Sequence, residues 1–173
     1  DGFSGIGLHD ISFNGSSAFL AIGLGGPPEA RQVFGEGGAH FAHLARRVPS
    51  GKIAFLTDLG LYESEANPDG GAVDTNPYSV LALPGKQIIA DAGANALIEV
   101  SKTGEVRTLA VFPDRMVEAP PFLGLPPGAM MPMQSVPTSV ALGPDGYYYV
   151  GELTGFPFPV GGANVYRVHP DGG

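Results

Sequence analysis

Short apolar segments separated by turn residues recur along the chain and predict β-strands. The clearest set occupies 77–112, where four segments of about five to seven residues are rich in Val, Ile, Leu and Ala. The connections between them contain Pro84-Gly85, Asn95 and Thr103-Gly104, which are residues typical of tight turns. This pattern predicts one four-stranded antiparallel sheet with short hairpin connections.

Two further segments repeat the pattern, one at 137–173 and a more diverged one at 7–58. The later copy opens with Pro-Thr-Ser-Val, where the clearest copy opens with Pro-Tyr-Ser-Val. A β-sandwich also has short strands and regular turns, but self-similarity along the sequence favours a repeat fold. The sequence therefore predicts a single, partial, all-β domain over 1–173, a β-propeller of four-stranded antiparallel blades. About three blades are predicted, at 7–58, 77–112 and 137–173, the last of them incomplete.

Three serines, Ser12, Ser79 and Ser139, are predicted to occupy the same register in their copies. Their spacings exceed the roughly 40 to 50 residues of common propeller repeats, so each copy is expected to carry insertions.

The connections between predicted strands fall into two kinds. In an up-and-down blade, the turns after the first and third strands share one face, and the other connections share the opposite face. The turns after the first and third strands are all tight. The second kind is long, at 23–41, 59–76, 113–136 and 152–162. Insertions gathered on one face of a repeat protein often mark its binding face.

Composition and charge narrow the expected partners. The 173 residues include 17 acidic and 9 basic side chains, for a net charge of −8. A nucleic-acid-binding surface needs clustered Lys and Arg to displace counterions, so nucleic acid is not an expected partner. No apolar stretch of about 18 residues is present, so no membrane span is predicted. The absence of cysteine excludes disulfides and thiolate metal sites.

The ends of the chain indicate that it is part of a longer protein or of an assembly. It begins at Asp1, without a methionine or an apolar signal segment, as a processed or excised product would. Closed propellers have about four to eight blades. We therefore expect further chain, the alternative being partner chains that supply the missing blades. Self-association through open blade edges at 1–13 or 163–173 is a separate prediction.

Three segments carry a resemblance to known families. The stretch 89–100 resembles the NHL repeat, in which an Asp, a short Gly/Asn turn and a hydrophobic strand follow one another. The segments 132–140 and 151–161 together resemble the ScyD/ScyE family of secreted-type propellers, and the similarity is weaker over 1–76. This resemblance implies a six-bladed propeller when complete, in a secreted, extracellular or periplasmic location. It implies no catalytic residues.

The connection after the first predicted blade is a candidate metal site. Some six-bladed relatives hold a divalent cation at the channel mouth, and oxygen ligands of the kind that calcium takes are concentrated here. Acidic loops rich in Asn and Gly are also common as simple solvated turns, and the spacing fits no EF-hand pattern. The candidate ligands are Glu63, Glu65, Asn67, Asp69, Asp74 and Asn76.

Residues near the ends of the inner strands form a candidate channel mouth. His9 and Asp10 open the first inner strand, and Glu152 ends a second strand on the same rim, so these three are candidate acid–base residues. The alternative is structural: Asp10 caps a turn and His9 packs. Three further residues of the mouth are candidates for ligand binding, namely Tyr78, Gln134 and Thr138.

The apolar insertion at 120–133, together with 156–159, is a candidate contact surface. Exposed apolar loops of this kind mark interaction sites, and Met adapts well at recognition surfaces. Hydrophobic loop packing and a soft-metal site such as Cu(I) are the alternatives. The candidate binding residues are Phe122, Met130, Met131, Met133, Phe156 and Phe158.

The favoured functional hypothesis is an exported propeller module, without an identifiable catalytic motif. It is predicted to bind a small apolar or aromatic ligand, or another protein, at the rim of long connections. One rival is a metal-dependent enzyme of the lactonase or lyase kind, and another is a structural subunit of an extracellular assembly. A fold by itself does not distinguish between these functions.

Overall fold

The computed structural model describes residues 5–173, which form three antiparallel sheets of three or four strands and one two-stranded sheet. The first sheet follows chain order and consists of β1 (Gly7–Asn14), β2 (Ser17–Gly23), β3 (His43–Arg47) and β4 (Ile53–Asp58). The second sheet repeats this order with β5 (Pro77–Leu83), β6 (Lys86–Asp91), β7 (Ala96–Ser101) and β8 (Val106–Val111).

A two-stranded hairpin separates the second sheet from the third. It pairs β9 (Arg115–Glu118) with β10 (Met130–Met133). The third sheet has three strands in chain order, β11 (Pro137–Leu142), β12 (Tyr148–Glu152) and β13 (Val165–Val168).

The three sheets pack face to face as successive blades. Strand β6 shows how, because its consecutive residues Ile88 and Ile89 point to opposite faces. Ile89 joins the apolar core between the first and second sheets, and Ile88 joins the core between the second and third. The inner strands β1, β5 and β11 lie side by side. These are propeller blades, and the predicted all-β fold of four-stranded antiparallel blades is confirmed.

The inner strands share a bulge that corrects the predicted register. In each of them the ladder shifts just before one residue, and the three residues concerned are Asp10, Ser79 and Ser139. The prediction that Ser12 is equivalent to Ser79 is therefore wrong, because a two-residue offset was hidden by the diverged first copy. Instead, the Oγ atom of Ser12 accepts a hydrogen bond from the Ala82 backbone at 3.0 Å.

The long connections contain structure that the strand pattern did not predict. One holds a 3₁₀ segment at Pro28–Gly38, the next holds helix α1 (Leu59–Ala66), and a third holds a 3₁₀ turn at Pro121–Leu123. Asp58 caps α1, because its Oδ1 atom accepts a hydrogen bond from the Leu61 backbone at 2.9 Å. Arg31 from the 3₁₀ segment donates two hydrogen bonds to the same carboxylate, from Nη1 to Oδ2 at 2.9 Å and from Nη2 to Oδ1 at 2.5 Å.

Contacts link neighbouring long connections, and we call the surface formed by 23–41, 59–76, 113–136 and 152–162 the rim. Gly26 and Thr75 form a bridge between the first and second connections. Asp69 and Gln134 line one cavity between the second and third. The rim lies opposite the tight turns. Within residues 5–173, no helix is long and apolar enough to cross a membrane.

Candidate functional site

The structure brings His9, Asn76 and Tyr78 together where β1 and β5 begin. The Nδ1 atom of His9 lies 3.2 Å from the Pro77 carbonyl oxygen, and the rings of His9 and Tyr78 are 4.6 Å apart. A carbonyl oxygen can only accept a hydrogen bond, so Nδ1 carries the proton.

Gly23, the last residue of β2, permits this arrangement. A Cβ atom at Gly23 would overlap both the His9 ring and the side-chain oxygen of Asn76. The Nε2 atom of His9 and the Oδ1 atom of Asn76 are buried and have no hydrogen-bond partner in the described part of the chain. We call His9, Asn76 and Tyr78 the axial cluster. Its two buried polar atoms without partners are suited to hydrogen bonding with a polar group of a ligand.

An acidic group lies beside the axial cluster, centred on the fully buried Asp91. The Asp91 carboxylate accepts hydrogen bonds from the Thr75 hydroxyl and the Asn76 backbone, both at 2.6 Å. Burial raises the pKa of Asp91, while these hydrogen bonds oppose the rise. The Asn76 backbone thereby connects the acidic group to the axial cluster.

Glu63 is the unusual member of the acidic group. It is only 1% exposed on α1, and neither carboxylate oxygen has a hydrogen-bond partner among the described residues. The Asp74 backbone approaches this carboxylate without reaching hydrogen-bond geometry. Burial, reinforced by the charges of Asp91, Asp69 and Asp74, raises the pKa of Glu63 to about 8.

The same causes act on Asp74. Burial and the neighbouring charges of Asp69 and Asp91 raise its pKa to about 6. The acidic group consists of Glu63, Asp69, Asp74 and Asp91. None of these four carboxylates forms a salt bridge with Lys or Arg in residues 5–173. Glu63 and Asp74 can therefore hold protons close to neutral pH.

The six candidate metal ligands do not converge on one point. Glu65 is exposed, and Asn76 belongs to the axial cluster. Asn67 ends α1 in a left-handed conformation, and the Asp69 carboxylate accepts hydrogen bonds from the Gly71 backbone and the Asn95 side chain. In the described part of the chain, no three Asp, Glu or His side chains form a group that could hold a metal ion.

The carboxylates of Asp10 and Glu152 are fully engaged in hydrogen bonds. Asp10 accepts hydrogen bonds from the Ser79 hydroxyl and the Val80 backbone, both at 2.9 Å, which ties the first blade to the second. The Glu152 side chain is completely buried and is bound by Arg115, Ser135, Tyr166 and the Asn164 backbone.

A repeated hydroxyl–carboxylate pair was missed from the sequence. Thr75 bonds to Asp91 in the second blade, and Ser135 bonds to Glu152 in the third. In each blade the hydroxyl lies two residues before the proline that opens the inner strand, and the carboxylate ends the next strand. This spacing was the available signal, but the change from Thr and Asp to Ser and Glu concealed it.

The apolar candidates form an exposed aromatic group on the rim. Phe122, Phe156 and Phe158 are 76%, 42% and 63% exposed. Their rings are in edge-to-face contact, with centroids 6.2 Å apart for Phe122–Phe156 and 6.0 Å apart for Phe156–Phe158. We call these three residues the aromatic rim group.

The remaining candidates are separated from one another. Met130 is exposed and Met131 half-buried on successive, oppositely directed positions of β10, and Met133 is buried. Gln134 is exposed beside a cavity of about 270 Å³ that Phe112 and Asp114 also line, and Thr138 is half-buried on β11.

Comparison with known proteins adds two distant structural likenesses. No protein-family model and no curated protein matches the chain. Selenomethionine-substituted virginiamycin B lyase from Staphylococcus aureus is similar at a TM-score of 0.41, with 13% identity over 95% of this chain. A catalytically inactive variant of that lyase with quinupristin is similar at a TM-score of 0.40, with 13% identity over 96% of this chain.

The chain spans only 56% and 58% of the length of these two lyase structures. At this similarity, substrate and chemistry do not transfer from the lyases. The assignment of propeller blades therefore rests on the sheet topology described above.

Proposed function

We propose that this chain is a recognition module whose rim binds an apolar or aromatic group, presented by a small ligand or by another protein. The aromatic rim group is the observation that carries the proposal. Three Phe side chains are exposed on the rim, with Phe156 in contact with both Phe122 and Phe158, and exposed apolar patches are characteristic of interaction sites.

The support under this group favours recognition. Arg115 at the start of the β9–β10 hairpin bonds to the buried Glu152 and to the Gly162 carbonyl oxygen. These contacts tie the connection that carries Phe122 to the connection that carries Phe156. A surface held in place before binding loses less conformational entropy when a ligand arrives.

The rival hypothesis of a metal-dependent lactonase- or lyase-like enzyme has weaker support. The Nε2 atom of His9 has no hydrogen-bond partner among the described residues, and His is the most common general base in enzymes. However, Asp10 and Glu152 are occupied by hydrogen bonds, and no calcium site is formed by the described carboxylates. An exported location and membership of the ScyD/ScyE family rest on the sequence resemblance. Self-association through blade edges remains a prediction.

Binding of N-phenyl-1-naphthylamine, an uncharged aromatic probe, tests the recognition proposal. The double variant Phe122→Ala/Phe158→Ala removes the two most exposed rings, and we expect its affinity for the probe to fall roughly tenfold, as loss of two aromatic contacts implies. The matched control is Phe13→Ala, because Phe13 is similarly exposed but lies on β1 outside the rim. Equal affinity in the double variant and the unmodified protein would overturn the proposal.

A further inference from the structure

A second cavity opens on the side of the molecule opposite the rim. It lies between the first two blades and has a volume of about 410 Å³, within the range of about 300–1,000 Å³ that is usual for small-molecule sites. Three tight turns border it, contributing Asn14, Gly85 and Lys102–Gly104. We call it the interblade cavity.

The charge of this cavity contrasts with that of the whole chain. Arg46 and Lys102 line it, and no Asp or Glu does, although acidic residues outnumber basic ones by 17 to 9 in the sequence. Neither cation has a carboxylate partner in the part of the chain that the structure describes. The cavity therefore offers two uncompensated positive charges.

Arg46 is held in position at the cavity wall. Its Nε atom donates a hydrogen bond to the Ser17 hydroxyl at 3.1 Å, and its guanidinium carbon lies 6.0 Å from the centre of the Phe19 ring. The terminal nitrogens of the guanidinium group stay available for an oxyanion, which they can bind in a bidentate manner.

Apolar side chains provide the rest of the wall. Phe19 is buried between the blades, and Leu56 and Leu83 line the same space from β4 and β5. The buried Gln87 adds a polar group. A site with apolar walls and a few placed charges is the usual environment of a small organic ligand.

We propose that the interblade cavity binds a small organic anion with a flat apolar body, such as an aromatic carboxylate or sulfonate. The anionic group would pair with Arg46 and Lys102, and the apolar body would contact Phe19, Leu56 and Leu83. This site is separate from the aromatic rim group and uses none of its residues.

The test uses 8-anilinonaphthalene-1-sulfonate, an aromatic sulfonate, titrated against the protein by fluorescence. The variant Arg46→Met/Lys102→Met keeps the apolar parts of both side chains and removes the charges. We expect its Kd for the sulfonate to rise at least tenfold, because the charge-assisted hydrogen bonds to the sulfonate group are lost. Its Kd for the uncharged N-phenyl-1-naphthylamine should stay within about twofold of that of the unmodified protein.

The matched control is Arg47→Met/Lys52→Met, which changes the net charge equally. Arg47 and Lys52 lie at the neighbouring turn but do not line the cavity. An equal loss of sulfonate binding in both double variants would show long-range attraction only and would overturn the proposal. Unchanged binding in the Arg46→Met/Lys102→Met variant would overturn it as well.

The rim variant Phe122→Ala/Phe158→Ala separates the two proposals. We expect it to retain the charge-dependent sulfonate affinity of the unmodified protein. If it instead abolishes that affinity, the sulfonate binds at the rim and the interblade proposal is wrong.

Discussion

Glu63 combines a buried position, two carboxylate oxygens without donors and three acidic neighbours. Burying a carboxylate without a compensating donor is costly in its charged form, so the folded protein favours the protonated form. The folded-state pKa of about 8 lies above the ordinary value of 4.5. Between these two values the unfolded chain releases a proton that the folded protein keeps. Stability should therefore decline as the pH rises through this window.

The substitution Glu63→Gln tests this linkage, because glutamine has nearly the same shape and stays neutral. We expect the variant and the unmodified protein to have similar Tm values near pH 5, and the variant to melt several degrees higher at pH 8.5. Asp74, whose pKa is raised to about 6, should leave a smaller decline with pH in the variant. Thermal unfolding followed by circular dichroism at several pH values measures the difference.

Glu65→Gln is the control for this prediction, since Glu65 lies on the same helix but is exposed. It should change the Tm little at any pH. A constant Tm difference between Glu63→Gln and the unmodified protein across the pH range would contradict the linkage.

At the residue scale, the sequence predicted which residues lie near one another better than it predicted how deeply each side chain is buried. His9 and Tyr78 were placed at one channel mouth because both lie near the start of inner strands, and the structure brings them together with Asn76. Glu63 was selected only because its loop is rich in oxygen ligands. Its burial depends on α1, and that helix was not predicted.

At the element scale, the β9–β10 hairpin depends on one buried contact. Arg115 pairs with the completely buried side chain of Glu152, which Ser135 and Tyr166 also bind. Removing one partner of a buried ion pair leaves an uncompensated charge. The attachment of the hairpin to the third blade should therefore be sensitive to a change at either residue.

We expect Arg115→Met to lower the free energy of unfolding by about 3 kcal/mol, measured by urea denaturation. Hydrogen exchange should also accelerate over 115–133, because the hairpin loses its anchor. The control is Arg167→Met, which removes an exposed pair with Asp145 and should cost less than about 1 kcal/mol. The outcome that argues against the anchor is an equal cost for both variants.

The elements themselves were predictable where the pattern was regular. Apolar segments separated by glycine turns predicted the strands of the first two sheets. The similarity of Pro-Thr-Ser-Val at 137–140 to Pro-Tyr-Ser-Val at 77–80 predicted the third sheet. Helix α1 was not predicted, because its eight residues show no clear apolar face, although Asp58 occupies its N-cap position. The β9–β10 hairpin escaped because a proline-rich segment separates its two short strands.

At the scale of the whole molecule, the second blade has an apolar core on each face. Ile89 is buried against the first blade and Ile88 against the third. Because β6 contributes to both cores, neither outer blade can separate without exposing apolar surface of the middle one. We therefore expect the three blades to unfold together.

The variants Ile88→Ala and Ile89→Ala test this coupling. Each should lower the free energy of unfolding by about 2–5 kcal/mol, as expected for truncation of a buried isoleucine. Circular dichroism and tyrosine fluorescence should report the same single transition for both variants. Val165→Ala, at an exposed position of β13, should stay within about 0.5 kcal/mol of the unmodified protein. Two separated transitions would show that the blades unfold independently.

The sequence predicted the blades, but it could not predict the space between them. Strand periodicity shows which residues share a face of one sheet, whereas the interblade cavity depends on how two sheets splay apart. Arg46 and Lys102 are far apart in sequence, and only the packing of the first blade on the second makes them neighbours.

The missing side chain at Gly23 gives experimental control over the axial cluster. An added methyl group there would displace the His9 ring and the Asn76 amide without removing any polar group from the protein. A loss of function in such a protein would then report on shape alone. This one position can therefore separate what the axial cluster does from the chemistry of the groups that form it.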